Sequence, residues 1–332
     1  MEGHRLWVTA LAVSQDGQMI ASGDTGGEII AWHAETGESL TKPIKAHSSG
    51  IYSVDFSPDG TVLATGSYDG MTKFWCTKTW QMQGDPIECG LVKCVRYSPS
   101  GELLAIATYQ NDIHIHNPGT REGVASLTAR ATSLAWTPDG TRLLSGGGDY
   151  DPTIREWDPL TWQQVGRPWK GHTHDINAIA IHPDGTLVAS ASNDKHVCLW
   201  RLSDQQPIAI FQHSSDPTCV TFSVDGRHIL SGGQDNKISE WELPKGTHSK
   251  ASLIASWLIT KWHSDWDPEK TGKPALRSPA SQAFSTPNPP RLLLKFKNSQ
   301  TCPTDHTVAT GINGTRENGA WQYKHPHSHP HQ

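Results

Sequence analysis

Short runs of alternating apolar and polar residues fill most of the chain. Tyr52-Ser53-Val54-Asp55-Phe56 is followed by Thr61-Val62-Leu63-Ala64-Thr65, and Ile176-Asn177-Ala178-Ile179-Ala180-Ile181 by Thr186-Leu187-Val188-Ala189-Ser190. Their length and two-residue period predict strands. Between such pairs a Gly follows an acidic or small polar residue: Asp16-Gly17, Asp59-Gly60, Ser100-Gly101, Asp139-Gly140, Asp184-Gly185 and Asp225-Gly226. Gly takes a positive φ at no steric cost, so each pair reads as a hairpin. A third strand leads into an aromatic residue, as in 71–75 and 196–200, and a fourth, less regular, lies in 39–44 or 206–211.

These strand groups recur at a fixed interval. Trp32, Trp75, His116, Trp157, Trp200 and Trp241 follow one another by 41 or 43 residues. One such unit cannot bury its own apolar surface, so units of this length stack on their neighbours. Four strands per unit, repeated radially, make a β-propeller. The predicted fold class is therefore all-β, with six recognisable four-stranded blades. A stacked scaffold of this kind serves many functions, so the fold alone names none.

Gly171-His172, Ser192, Asp194 and Trp200, with Ser190-Ala191-Ser192-Asn193-Asp194 between strands, resemble a complete WD40 repeat. Ala46-His47, Ser67, Asp69 and Trp75 resemble a second, and the similarity covers residues 3–244. The resemblance implies a buried network from Asp through His and Ser to Trp. It would comprise His47, Ser67, Asp69 and Trp75 in one blade and His172, Ser192, Asp194 and Trp200 in another. The sixth unit keeps His213, Asp235 and Trp241 but has Gly233 for Ser, and the first has Asp24 and Gly26 where Ser and Asp would stand. The third has His116 for Trp and Gln110 for Asp; the fourth carries an extra residue within 145–152; both lack the Gly-His. Complete networks are expected only in the second and fifth blades, which makes the third and fourth the softest.

His, Ser and Asp are also the side chains of a hydrolase triad. Their recurrence with a Trp in separate blades argues for structure, since a nucleophile needs access and an oxyanion site. No phosphate-binding Gly-rich loop, paired zinc ligands or clustered carboxylates appear, so neither cofactor nor metal is expected. The chain is read as no enzyme.

Composition and charge narrow the partners. With 14 Trp, 30 Gly and 22 Pro in 332 residues, the profile is that of many strands and turns. No run of about eighteen apolar residues exists, so no membrane span is expected. No secretory signal is visible at the start, and the six cysteines lack a paired spacing, so small buried thiols in a reducing, intracellular compartment (cytoplasm, nucleus or both) are expected. Through residue 244 there are 17 Lys and Arg against 28 Asp and Glu; beyond it, 11 against 5. An acidic ring repels a phosphate backbone, which argues against duplex nucleic acid as its principal ligand.

The expected domains are a propeller over 1–260 and a mostly disordered tail over 261–332. The tail has a Pro- and Ser-rich linker at 274–290 and a His-rich end (His325, His327, His329, His331) without a second shell to build a metal site. Ser252–Ile259 is the candidate outer strand of the sixth blade. Within 291–323, Thr307-Val308-Ala309-Thr310-Gly311 and Trp321 echo Thr61 to Gly66 and Trp75, so a degenerate seventh blade stays open beside the disordered reading.

What remains is surface. In propellers of this family one face, formed by the turns after the second strands and the starts of the first, is the usual docking platform. The positions mapping there are Trp7, Tyr52, Tyr68, Tyr109, Tyr150, Asn177, Asn193 and Gln234. Tyr and Trp supply large contact area at small rotamer cost. The expected function is a non-catalytic scaffold docking protein or peptide partners. A reader of phosphorylated or methylated peptides on the same face is the alternative, with a propeller enzyme behind it.

Overall fold

The computed structural model describes residues 3–148, 150–244, 316–317 and 320–321. The chain divides into two compact units, Met1–Leu294 and Lys295–Gln332. The first is built from six antiparallel sheets. Their first strands are Val8–Val13, Ile51–Phe56, Val92–Tyr97, Ala131–Trp136, Ile176–Ile181 and Pro217–Phe222. Each pairs with the strand that follows it in sequence, and the order continues outward without crossover. Five sheets have four strands; the sixth has three described strands, ending at Glu242, and its expected outer strand at Ser252–Ile259 lies outside the described residues. In the second unit Arg316–Glu317 pairs with Ala320–Trp321.

Consecutive first strands neighbour one another from the first blade to the sixth. All six contribute to a central cavity of about 450 Å³, lined by Val13, Asp55, Arg96, Trp136, Ala180 and Thr221 among others. The predicted propeller is thus the observed architecture.

Blades stack by a knob and a seat. Ile51 lies over Gly23 of the preceding blade, Val92 and Val95 over Gly66, and Ile176 and Ile179 over Gly146. A Cβ on Gly23 would meet Ile51 at 2.7 Å, and one on Gly146 would meet Ile176 at 2.9 Å. The seat must therefore be small, and Ala107 and Ala191 fill it in the third and fifth blades. At these boundaries the contact removes branched apolar groups from water.

The hairpins between first and second strands follow one design. Gly17, Gly60, Gly101, Gly140, Gly185 and Gly226 all have φ between 67° and 77°. In five of the six the preceding residue is an Asp, as where Asp59 accepts from the Ser57 hydroxyl at 2.5 Å and from the Thr61 amide at 3.1 Å; in the third blade Ser100 stands there and accepts from the Glu102 amide at 3.3 Å.

Candidate docking surface

The membership of the buried relays differs from the sequence expectation. His172 Nδ1 donates to Asp194 (2.8 Å), and Trp200 Nε1 donates to the Ser190 hydroxyl (2.8 Å), which in turn donates to His172 Nε2 (2.7 Å). In the second blade the same roles fall to Asp69, His47, Thr65 and Trp75. The relay hydroxyls are therefore Thr65 and Ser190, not Ser67 and Ser192. The reason is reach along a strand. Trp75 pairs with Leu63 and Trp200 with Val188, so Thr65 and Ser190 stand two residues away on the same face. Ser67 and Ser192 stand four away, roughly 13 Å at a rise of about 3.3 Å per residue. They tie the turn instead: the Ser67 hydroxyl donates to the Gly50 carbonyl (2.9 Å) and Ser192 to that of His174 (2.8 Å).

The first blade also carries a complete relay, contrary to expectation: His4 to Asp24 at 2.8 Å, His4 to Ser22 at 2.6 Å and Trp32 to Ser22 at 2.8 Å. Asp24 holds the register position of Ser67, two residues before the usual Asp. A two-residue shift keeps its carboxylate on the face of the histidine. The sixth blade is less complete than expected. His213 Nδ1 has no partner among the described residues, and Asp235 instead accepts from Ser214. The fourth blade keeps Trp157 on Ser145 (2.9 Å), while His116 of the third bonds the Arg121 carbonyl (3.2 Å).

These differences set an order of local stability. His172→Ala strands a buried carboxylate and a hydroxyl and should cost about 1–3 kcal/mol. His213→Ala should cost less, because among the described residues its Nδ1 has no partner and its Nε2 meets only the Ser239 hydroxyl at 3.3 Å. Equal shifts of the two variants in urea melts would disconnect relay completeness from stability.

The relays titrate as well. Burial, against the pull of Asp69, holds the His47 imidazole below its ordinary value of 6.5, and Lys73 adds to this. The indole already donates to Thr65, so the hydroxyl proton goes to His47 Nε2, which suits a neutral ring. For Asp69 burial opposes the shift, but His47 and the Ser48 and Met71 amides hold its carboxyl below the usual range. The folded state thus takes up both protons less readily than the unfolded chain. Stability is full above about pH 6.5, falls first as His47 is forced to protonate, and falls again below about pH 4. The urea midpoint at pH 5.5 should lie below that at 7.5, with a smaller gap in His47→Gln. An unchanged gap would remove His47 from the effect.

The residues expected on the docking face fall at two register positions per blade, apart from Trp7 and Tyr150. One is the residue after the second strand, where Tyr68, Tyr109, Asn193 and Gln234 donate their amides to Gly50, Leu91, Asp175 and Asp216. The other is the second residue of the first strand: Thr9, Tyr52, Lys93, Thr132, Asn177 and Thr218. In three blades this second position is spent on the next blade. Thr9 bonds the Ile51 carbonyl, Thr132 that of Ile176, and Asn177 that of Pro217 (2.9 Å) as well as Asn193 (2.6 Å).

In the second and third blades it turns outward. Tyr52 and Tyr68 have ring centroids 5.8 Å apart, and Tyr68 meets Tyr109 edge-on at 5.4 Å. The Lys93 ammonium lies 4.4 Å over the Tyr109 ring. All three tyrosines are 41–42% exposed. Lys93 was not singled out from sequence, although its register equivalence to Tyr52 and Asn177 marks it. Trp7 and Tyr150 are exposed and make no ring contact among the described residues, and Tyr150 sits in the insertion after Gly148 with φ of 78°. Gln234 is exposed.

The family model for the WD domain, G-beta repeat, matches residues 1–33, 38–76, 123–158, 162–201 and 205–242, more than half of the chain. The chain belongs to the WD40 repeat family. The matched stretches pass over 77–122, which holds the blade with His116 in place of Trp. A WD repeat-containing protein SL1-17 of Schistosoma mansoni is 31% identical over 242 residues, 71% of this chain and 79% of its own length. A guanine nucleotide-binding protein subunit beta of Zea mays is 25% identical over 62% of this chain and 58% of its own. Echinoderm microtubule-associated protein-like 3 of Homo sapiens is 26% identical over 73% of this chain, which spans 31% of that protein.

No helix among the described residues is long and apolar enough to cross a membrane. The thiols are less uniformly buried than expected. Cys94 and Cys198 are buried, Cys76 and Cys89 are half-buried and Cys219 is exposed, while Cys302 and the His-rich end lie outside the described residues. Burial pushes the Cys89 thiol up to about 11, which keeps it unreactive near neutrality.

Proposed function

We propose that this WD40 propeller is a non-catalytic scaffold that docks an intracellular protein or peptide partner on the face bearing Tyr52, Tyr68 and Tyr109. The observation that carries the reading is the contiguous aromatic ladder across the second and third blades, with Lys93 against its end. Tyrosine rings fixed by one another lose little rotamer freedom on binding, and a desolvated aromatic cluster is where interface energy concentrates. The rings contact each other directly, tilted at 5.8 Å and edge-on at 5.4 Å. That favours a flat docking contact over a cage around a modified side chain. Asn177, Asn193 and Gln234 on the following blades supply a polar rim, in keeping with the usual anatomy of such contacts.

The test is affinity capture from native extract with the full chain as bait, beside the Tyr68→Ala/Tyr109→Ala variant. A partner retained by the first and lost by the second supports the reading. A partner retained by both places the interface elsewhere.

A further inference from the structure

The third blade keeps the four strands of its neighbours but not their relay. Ile106 holds the register position of the relay hydroxyls Thr65 and Ser190. Gly90 follows Cys89 where His47 follows Ala46, and Cys89 and Ala46 bond the preceding blade in the same way. An indole at position 116 would therefore have no hydroxyl to bond, and an imidazole stands there instead.

The third strand of this blade, Asp112–His116, turns Ile113 and Ile115 into the core, both fully buried. Asp112, His114 and His116 alternate with them and share the opposite, half-buried face. The two imidazoles lie with ring centroids 6.3 Å apart and planes at 55°. His116 Nδ1 bonds the Arg121 carbonyl at 3.2 Å. A carbonyl only accepts, so Nδ1 carries the proton, and in the uncharged ring Nε2 keeps the lone pair. Metal-binding histidines are oriented in just this way, by a bond from the other ring nitrogen to a carbonyl or carboxylate. Gly123 is the cross-strand partner of His116, and a Cβ there would meet only His116 Cε1, at 3.8 Å. The partner strand thus puts no side chain over that edge of the ring.

We propose that His114 and His116 together chelate a divalent transition-metal ion of the copper, nickel and zinc class. One ion about 2.1 Å from a nitrogen of each ring can hold centroids up to about 6.5 Å apart, and 6.3 Å lies inside that reach. A bent angle at the metal draws the rings closer, and the His114 side chain makes no hydrogen bond among the described residues that would resist turning. Imidazole suits these ions, whereas magnesium and calcium prefer oxygen. Asp112, one step along the same face, adds a negative charge that favours a cation. Two protein ligands leave the other coordination positions to water, so the ion exchanges and is no closed structural centre. The sequence gave no sign of the pair, because a spacing of two residues becomes a chelate only on a strand, where alternate side chains share a face.

The probe is Ni2+, and the readout is diethylpyrocarbonate labelling of the folded full chain, followed peptide by peptide by mass spectrometry. The tryptic fragment 97–121 contains His114 and His116 and no other histidine. About 1 mM Ni2+ should slow its labelling at least about tenfold, the mass-action factor for an ion held at about 0.1 mM or tighter. In His114→Asn the protection of His116 should disappear, since one imidazole alone is a weak ligand. If that variant does not fold, His116→Asn, read at His114, tests the same pairing. Replacing His325, His327, His329 and His331 together by Ala should leave the protection intact. Labelling that changes by less than about twofold, protection of His116 that survives His114→Asn, or protection lost with the four terminal histidines each overturns the proposal.

Discussion

Replacing Tyr68 and Tyr109 together by Ala should weaken partner binding by more than about 2 kcal/mol, or about 30-fold, as expected when two members of a clustered hot spot are truncated. The rings touch at 5.4 Å, so removing both also strips support from Tyr52, 5.8 Å from Tyr68. Both tyrosines follow the second strands of their blades and are about two-fifths exposed, so the melting temperature should hardly move. Thr141→Ala is the control. Its side chain bonds Asp139 in the hairpin between first and second strands, at the opposite rim. Calorimetric titration of the captured partner against the three proteins decides the matter. Unchanged affinity in a folded double variant removes the ladder from the interface, and loss of the folding transition would make these tyrosines core.

The largest stability effect is expected at Trp200. Its side chain is 1% exposed, donates to Ser190 at 2.8 Å and packs so closely on Gly171 that a Cβ there would meet the ring at 2.6 Å. Truncating such a residue leaves a cavity and an unpaired hydroxyl, so Trp200→Ala should lose about 3–5 kcal/mol. That is a large share of a typical folding free energy of about 5–15 kcal/mol. Trp241 holds the same position in the sixth blade but is half-buried, and its bond to Ser231 is longer, 3.1 Å. Trp241→Ala should therefore lose clearly less. Urea melts of the two variants check the ordering, and equal losses would mean that Trp241 is as tightly packed as Trp200.

The places where sequence reading of the relays failed share one cause. A motif of His, Ser, Asp and Trp specifies residue types, but two hydroxyls of opposite fate, Thr65 and Ser67, lie on the same face of one strand. Only the cross-strand partner of Trp75 selects between them. In the first blade the reading tied the carboxylate to one position, whereas the pleat allows it two residues earlier, at Asp24. His213 was credited with a partner because Asp235 is present, yet Ser214 takes that carboxylate first.

The sequence by itself determined the number of described blades, their strand order and the location of the turns. Those depend on local preferences: a two-residue apolar period, a glycine with positive φ, and an aromatic at the end of each third strand, repeated at a constant interval. Which tyrosines meet, which hydroxyl joins a relay and which carboxylate a histidine reaches were decided only by tertiary structure. Each depends on register between strands or on contact between blades some forty residues apart, which no local pattern records.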